Sequence, residues 1–97
     1  MPKGYVIARV TVTDTDAYAA YAQAAAQAQK LHGAKALIRA GRYTQLEGEA
    51  KARNVVLEFE SYDQAVAYYN SVEYQAAKLK REGAAQADII AVEGASD

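Results

Sequence analysis

The stretch Arg53–Glu82 limits the fold of this chain more than any other part of the sequence. It begins with RNVVLEF at Arg53–Phe59, a short β-branched run that is typical of a strand rather than of a helix. Two serines follow ten residues apart, Ser61 and Ser71, and each stands where a side-chain hydroxyl can cap the start of a helix. We therefore predict a strand that leads into two consecutive helices, with a break at Asn70–Ser71.

The remaining elements follow from periodicity and from helix-capping residues. Gly4–Val12 alternates as a half-buried strand does, and Asp14 can cap a first helix that stops at Gly33. Lys35–Gly41 is predicted to be a second strand, and Asp88–Glu93 a fourth. The chain order is therefore strand, helix, strand, strand, helix, strand.

The connections are less regular than the elements. The pattern of the second strand is expected to continue through Tyr43 and Leu46, before a solvated hairpin connection at Glu47–Ala52. Gly83 is expected to end the last helix, and residues 95–97 to form a flexible tail. We predict one α+β domain over residues 1–97, a ferredoxin-like βαββαβ two-layer sandwich with a four-stranded antiparallel sheet.

A two-layer sandwich leaves one face of its sheet without helices, and here that face is apolar. Ile7, Val56 and either Ile89 or Ile90 must lie on it, because both parities of the third and fourth strands carry apolar residues. An exposed apolar sheet face favours self-association. The sequence thus predicts a homodimer that forms through the sheet faces.

Composition excludes several classes of function. Eleven basic and 12 acidic residues give a net charge of -1, so the positive field that nucleic-acid binding needs is missing. There is no cysteine and only one histidine, so we expect no metal site and no cofactor. No apolar run approaches the length of a bilayer span and no export signal is visible, which predicts a cytoplasmic protein without a membrane partner.

Three residues are weak candidates for catalysis: His32, Arg39 and Glu58. His32 lies at the end of the first helix, where it more often complements the helix dipole than acts as a base. With a hairpin centred near Glu49, Arg39 and Glu58 are expected to be cross-strand neighbours on one face. The pair is interpreted either as an ion pair that fixes the register or as charged groups held in a cavity.

Eight tyrosines suggest a binding site as an alternative to a plain core. Five of them lie on helices where they can point toward the sheet: Tyr18, Tyr21, Tyr62, Tyr69 and Tyr74. Their hydroxyls need hydrogen-bond partners that a pocket can supply. The helix break adds backbone donors and an amide at the same place. We therefore predict a ligand site between the split helix and the sheet, lined by Tyr18, Tyr69, Asn70, Ser71 and Tyr74.

Five segments resemble the bacterial family known as domain of unknown function 1330. They are KGYVIARV at Lys3–Val10, LIRAGRYTQLEGE at Leu37–Glu49, RNVVLEFESYDQA at Arg53–Ala65, YYNSVEYQAAKLKR at Tyr68–Arg81 and DIIAVEG at Asp88–Gly94. The resemblance covers nearly the whole chain. It implies a dimeric α+β barrel, in which two ferredoxin-like subunits join their sheets.

The chain departs from the pattern of this family at three places. Val6 stands where tryptophan is common, Ala40–Gly41 replaces a double glycine, and Val72 replaces a common proline. The family has no assigned activity, so two functions stay open. The first is a dimer that binds a small aromatic or acidic metabolite without catalysis. The second, by fold analogy with cofactor-free monooxygenases and isomerases of the same superfamily, is a cofactor-free small-molecule enzyme.

Overall fold

The computed structural model describes residues 2–96, which form four strands and three helices. The strands are β1 (Gly4–Val12), β2 (Lys35–Arg39), β3 (Arg53–Phe59) and β4 (Ala85–Glu93), and the helices are α1 (Thr15–Leu31), α2 (Tyr62–Asn70) and α3 (Val72–Leu79). This is the predicted βαββαβ order with the second helical element in two pieces.

The strands form one sheet in the order β2-β3-β1-β4, and each pair of neighbours is antiparallel. The helices pack on one face of this sheet, so the predicted α+β, ferredoxin-like, two-layer arrangement is confirmed. Ile7 in the central strand β1 lies opposite Val56 of β3 and Ile90 of β4. Because side chains alternate along a strand, these three residues share the face without helices.

Side-chain caps explain where the helices begin. Asp14 accepts a hydrogen bond from the Ala17 amide at 3.2 Å, and Ser61 accepts one from Gln64 at 3.1 Å. At Ser71 the backbone is extended, with φ −68° and ψ 154°, and the hydroxyl accepts from the Tyr74 amide at 3.1 Å. Satisfied amides at each start stabilise the ends, and the predicted break at Asn70–Ser71 is confirmed.

The core lies between the helices and the helix-facing side of the sheet. Val6, Leu57 and Phe59 from the strands are buried against Ala65 and Tyr68 of α2. The opposite face, which we call the open face, stays apolar: Ile90 is 57% exposed, whereas its neighbour Ile89 packs against the core. Ile90 is therefore the isoleucine of β4 that joins Ile7 and Val56 on the open face.

Strand β2 differs most from its prediction. It ends at Arg39, because Ala40 has a left-handed φ of 56° and turns the chain out of the sheet. Residues 40–52 form an irregular, largely exposed connection in which Tyr43 and Leu46 are exposed, so the predicted continuation of the strand is wrong. Within β2, Leu37 is an extra residue between the pairs Ala36–Leu57 and Ile38–Val56, which makes it a β-bulge.

Two other element boundaries differ from those predicted from the sequence. Strand β4 begins at Ala85 rather than at Asp88, and α3 ends at Leu79, so Gly83, with φ 75°, belongs to a turn beyond the helix. Of the predicted flexible tail, Ala95 and Ser96 have no regular secondary structure, and Asp97 lies outside the described residues. None of the helices in residues 2–96 is long and apolar enough to span a bilayer.

Candidate functional site

A partly open cavity, here called the inner cavity, lies between the helices and the sheet. Its sheet side is aliphatic, with Val6, Val55 and Leu57, and α1 contributes Ala22 and Ala25. The helix α1 packs mainly against α3, and its short alanine side chains leave space above the strands. The volume is about 40 Å³, enough for roughly two or three water molecules.

Five tyrosines line the inner cavity: Tyr18, Tyr21, Tyr68, Tyr69 and Tyr74. The hydroxyls of Tyr21 and Tyr74 are 2.9 Å apart and share a hydrogen bond, and the rings of Tyr68 and Tyr69 each lie 5.1 Å from the ring of Tyr74. Burial is the main cause that raises the pKa of Tyr21 and of Tyr68. These phenols are therefore neutral hydrogen-bonding groups at physiological pH.

Two arginines lie on the same wall, Arg39 of β2 and Arg53 of β3. The Arg39 Nη2 donates to Oε1 of Gln29 at 3.1 Å, a neutral partner. The Arg53 guanidinium lies 5.1 Å from the centre of the Tyr18 ring, and its buried Nε has no hydrogen-bond partner. Each of the two side chains ends in a planar guanidinium group with five N–H donors and no acceptor.

A second cavity, the outer cavity, opens between α2 and β4. Its volume is about 130 Å³, and its lining is mostly apolar, with Val66, Asn70 and Ile90 among the residues that line it. For comparison, a closed apolar cavity of about 150 Å³ is large enough for benzene. Tyr69, Val6 and Ile89 line both cavities, so these side chains form the wall between them.

The predicted ligand-binding residues divide between the cavities. Tyr18, Tyr69 and Tyr74 line the inner cavity, whereas Asn70 lines the outer one with Tyr69. Ser71 lines neither, because its hydroxyl is engaged at the helix break, where it also donates to the Tyr68 carbonyl at 2.7 Å. Among the five helical tyrosines considered from the sequence, Tyr62 is 42% exposed and lies outside both cavities.

His32 lines neither cavity, and its ring lies 6.1 Å from the ring of Tyr68. It follows the end of α1, where its Nε2 is 2.9 Å from Oε1 of Glu73 on α3. The hydrogen bond to His32 is the main reason that the pKa of Glu73 is lowered. His32 therefore ties two helices together on the outside of the molecule.

The predicted pairing of Arg39 with Glu58 is wrong. Arg39 lies opposite Val55 on the helix-facing side of the sheet, and Glu58 lies opposite Lys35 and Tyr5 on the open face. The Tyr5 hydroxyl donates to Glu58 at 3.2 Å. The long connection 40–52 places the centre of the hairpin before Glu49, so the two side chains end on opposite faces.

Three residues at the inner cavity were missed from the sequence: Gln29, Arg53 and Tyr68. Arg53 has the same parity as the buried residues Leu57 and Phe59, so alternation along β3 places it on the helix-facing side. Tyr68 follows buried Ala65 by three residues, which places both on one helix face. No sequence pattern identifies Gln29, whose Oε1 accepts a hydrogen bond from Arg39 because the fold brings the two residues together.

The chemistry of the inner cavity is that of binding by hydrogen bonds and charge. Among its described lining residues there is no aspartate, glutamate or histidine. Residues 2–96 also contain no cluster of three such side chains that is suited to a metal ion. The available groups are neutral phenols, an amide and two guanidiniums, which favour an anionic or hydrogen-bonding aromatic ligand over proton abstraction.

Comparison with known structures identifies relatives in fold. A protein of unknown function from Rhodopseudomonas palustris is 18% identical, with a TM-score of 0.75 over 99% of this chain and 85% of that one. A mutant of SnoaB, a cofactor-independent oxygenase from Streptomyces nogalater, is 11% identical, with a TM-score of 0.66 over 98% and 94%. At these identities the likeness concerns the fold alone.

A third structure is described as a dimeric ferredoxin-like protein of unknown function from Thermobifida fusca. It is 19% identical, with a TM-score of 0.62 over 97% of this chain and 91% of the other. None of the curated proteins compared with this chain matches it. A family model described as Domain of unknown function (DUF1330) matches residues 3–95.

Proposed function

This chain belongs to the DUF1330 family, and from that premise we propose that it is a homodimer that binds a small aromatic or acidic metabolite between its helices and its sheet without converting it. The observation that carries this proposal is the lining of the inner cavity. Five tyrosines and two arginines surround it, and no carboxylate or imidazole is found among its described lining residues. Such a lining supplies ring contacts and charge but no conventional base.

Binding of an aromatic ring has to enlarge the inner cavity, because about 40 Å³ holds only water. Tyr69 is the side chain whose movement would join this space to the outer cavity of about 130 Å³. The ring of Tyr69 is only half-buried and lies 5.5 Å from Nζ of Lys78. An outward rotation of Tyr69 would break its ring contact with Tyr74, 5.1 Å away, and its contact with Lys78.

The open face supports the dimer. Ile7, Val56 and Ile90 pair with one another across three adjacent strands, and Ile38 extends this apolar row to β2. A second copy of the chain would cover these residues and remove their apolar area from water. Sedimentation at micromolar concentration should give a dimer, and a monomer would refute this part of the proposal.

We place this dimer in the cytoplasm as part of the same proposal. A chain without cysteine makes no use of an oxidising compartment.

A cavity-filling variant tests the binding role. Ala22→Leu should fill the inner cavity and abolish binding, while the protein stays folded because the added carbons occupy existing space. Ala20→Leu makes the same change on the exposed side of α1 and should bind like the parent. Thermal shift with a panel of phenols and aromatic acids is the measurement.

Failure to stabilise the parent protein with any compound of the panel would refute the binding role. Mass spectrometry of the incubated ligand then separates binding from catalysis. A new product that forms with the parent and the Ala20→Leu variant, but not with Ala22→Leu, would replace our proposal with a cofactor-free enzyme.

A further inference from the structure

We infer that the inner cavity has a carboxylate-binding end formed by Arg39 and Arg53, and that its ligand is an aryl carboxylate whose acid group lies at β2 while its ring points toward β4. This inference rests on the proposed binding function and specifies the class and orientation of the ligand. It depends on the positions of the two arginines, on the absence of an acidic partner for either of them among residues 2–96, and on the aromatic and aliphatic lining of the rest of the cavity.

Sheet geometry brings the two guanidiniums to the same end of the cavity. Arg39 lies directly opposite Val55, and Arg53 is two residues before Val55 on the same face of β3. Diagonal neighbours of this kind are about 7–8 Å apart, within reach of two long side chains that converge on one anion. Both side chains line the inner cavity.

Neither guanidinium has an acidic partner among residues 2–96. The ion pairs there are Lys3–Glu60, His32–Glu73 and Lys51–Asp88. Arg39 has the amide oxygen of Gln29, and Arg53 has the face of Tyr18 and a buried Nε without a hydrogen-bond partner. Arg39 is exposed to solvent, so the cost of an unpaired buried cation falls on the half-buried Arg53, and an anionic ligand would relieve that cost.

A carboxylate is the anion that best fits this end. Guanidinium groups bind carboxylates through parallel N–H donors, and two of them can hold both oxygens of one acid. The remaining walls are tyrosine rings and aliphatic side chains, so they suit the organic body of the ligand rather than a bare inorganic ion.

The orientation follows from the opposite end of the cavity. Ile89 of β4 lies there with Tyr69, and no charged residue is found among the described residues that line the outer cavity beyond them. Three strand spacings separate β2 from β4 in the sheet, about 14 Å in total. This length accommodates an acid group, a short chain and a ring in sequence.

Phenylpropanoate and its neutral amide, phenylpropanamide, are the probes. Calorimetry with the parent protein should give binding of phenylpropanoate that is about 10- to 100-fold tighter than binding of the amide. Arg39→Gln and Arg53→Gln should each weaken the binding of phenylpropanoate by a similar factor and leave the affinity for the amide unchanged. Arg42→Gln removes the same charge from the exposed connection and should change neither affinity.

Two results separate the failure of this inference from the failure of the proposed function. If both probes bind the parent equally and the arginine variants bind like the parent, the binding role stands and the carboxylate end is refuted. If neither probe nor any phenol binds the parent, both are refuted. Should Arg53→Gln not fold, Arg39→Gln decides the question alone, because Arg39 is at the exposed mouth.

Methyl spectra by NMR test the orientation. Phenylpropanoate should shift the methyl signals of Ile89, which lines both cavities. The methyl signals of Ile7 should stay unchanged, because Ile7 lies on the open face and lines neither cavity. Inorganic phosphate should leave Ile89 unchanged, because it would occupy only the charged end. Equal shifts at Ile7 and Ile89, or a shift of Ile89 with phosphate, would overturn the orientation.

Discussion

Val55 and Val56 are adjacent in β3, yet they belong to two different environments. Val55 faces the helices and the inner cavity, opposite Arg39, whereas Val56 lies on the open face between Ile7 and Ile38. Both side chains are half-buried, so burial within one chain does not distinguish them. Their neighbours distinguish them, because polar groups surround Val55 and aliphatic groups surround Val56.

This difference shows that the two faces of the sheet have different requirements for burial. The helix-facing side is covered within the chain and encloses charged and phenolic groups that need partners. The open face is uniformly apolar at its centre and needs only to be removed from water. A ligand suits the first surface, and a second copy of the chain suits the second.

The largest expected effect comes from placing a charge on the open face. Val56→Glu should abolish the proposed dimer, because the dimer could form only by burying an unpaired carboxylate, at a cost of about 3–5 kcal/mol. Sedimentation and urea unfolding at matched concentrations measure this. Ala20→Glu adds the same charge to an exposed position on α1 and should leave the dimer intact. A dimeric Val56→Glu variant would refute the open face as the interface.

The helix-facing side can be disrupted at a single glycine. Gly4 is buried where β1 passes the start of α2, and an added Cβ would overlap the Ser61 carbonyl and the Tyr62 backbone. Since backbone atoms cannot move aside easily, Gly4→Ala should cost about 3 kcal/mol. Gly41→Ala, with no atom within 4 Å of the added carbon, is the control and should be nearly neutral. Thermal unfolding at fixed protein concentration compares the two.

A smaller change in stability is expected at Ala40, where the chain leaves the sheet. Ala40 ends β2 with a φ of 56°, a conformation that costs a residue with a Cβ roughly 1–2 kcal/mol. Ala40→Gly should therefore stabilise the protein by about 1 kcal/mol, after the extra entropy of glycine in the unfolded chain is subtracted. Ala52→Gly in the same connection has no such strain and should destabilise slightly. Urea unfolding that shows no gain for Ala40→Gly would contradict this.

The smallest effect concerns the outside of the helical layer, which belongs to neither face. The hydrogen bond to His32 lowers the pKa of Glu73 from its ordinary value of 4.5. A carboxylate whose pKa is lower in the folded than in the unfolded protein stabilises the folded state at pH values above its unfolded pKa. This stabilisation is lost as the pH falls through the pKa of the folded state. Glu73→Gln should thus lower the Tm slightly near pH 6 and not near pH 3. Glu82→Gln, at an exposed position, should show no such difference.

Local chemistry in the sequence predicted most of the fold. Ser61 and Ser71 fixed the two helix starts, and alternation along β1 assigned Val6 and Ile7 to opposite faces. These signals depend on residues that are close in the chain. The register of β2 could not be predicted in the same way, because an irregular connection of 13 residues, 40–52, leaves the pairing to tertiary contacts.

The candidate site was predictable only in part for the same reason. Helical spacing identified Tyr18, Tyr69 and Tyr74, which the fold brings to one cavity. The sequence identifies Arg39 as a weak catalytic candidate, but its predicted partner, Glu58, lies on the other face of the sheet. Alternation along β3 indicates the face of Arg53, but no local pattern predicts that Gln29 of α1 lies beside Arg39.

The bulge at Leu37 has a consequence for how this chain should be aligned with other sequences. Leu37 is the extra residue of β2, and Ile38 and Arg39 keep the pairing of a regular strand with Val56 and Val55. A homologue that lacked this residue would keep its arginine in the cavity, one position earlier in its numbering. A gap placed after Arg39 would match Arg39 with a residue of the opposite face, and a shared cavity-lining residue would be mistaken for a substitution.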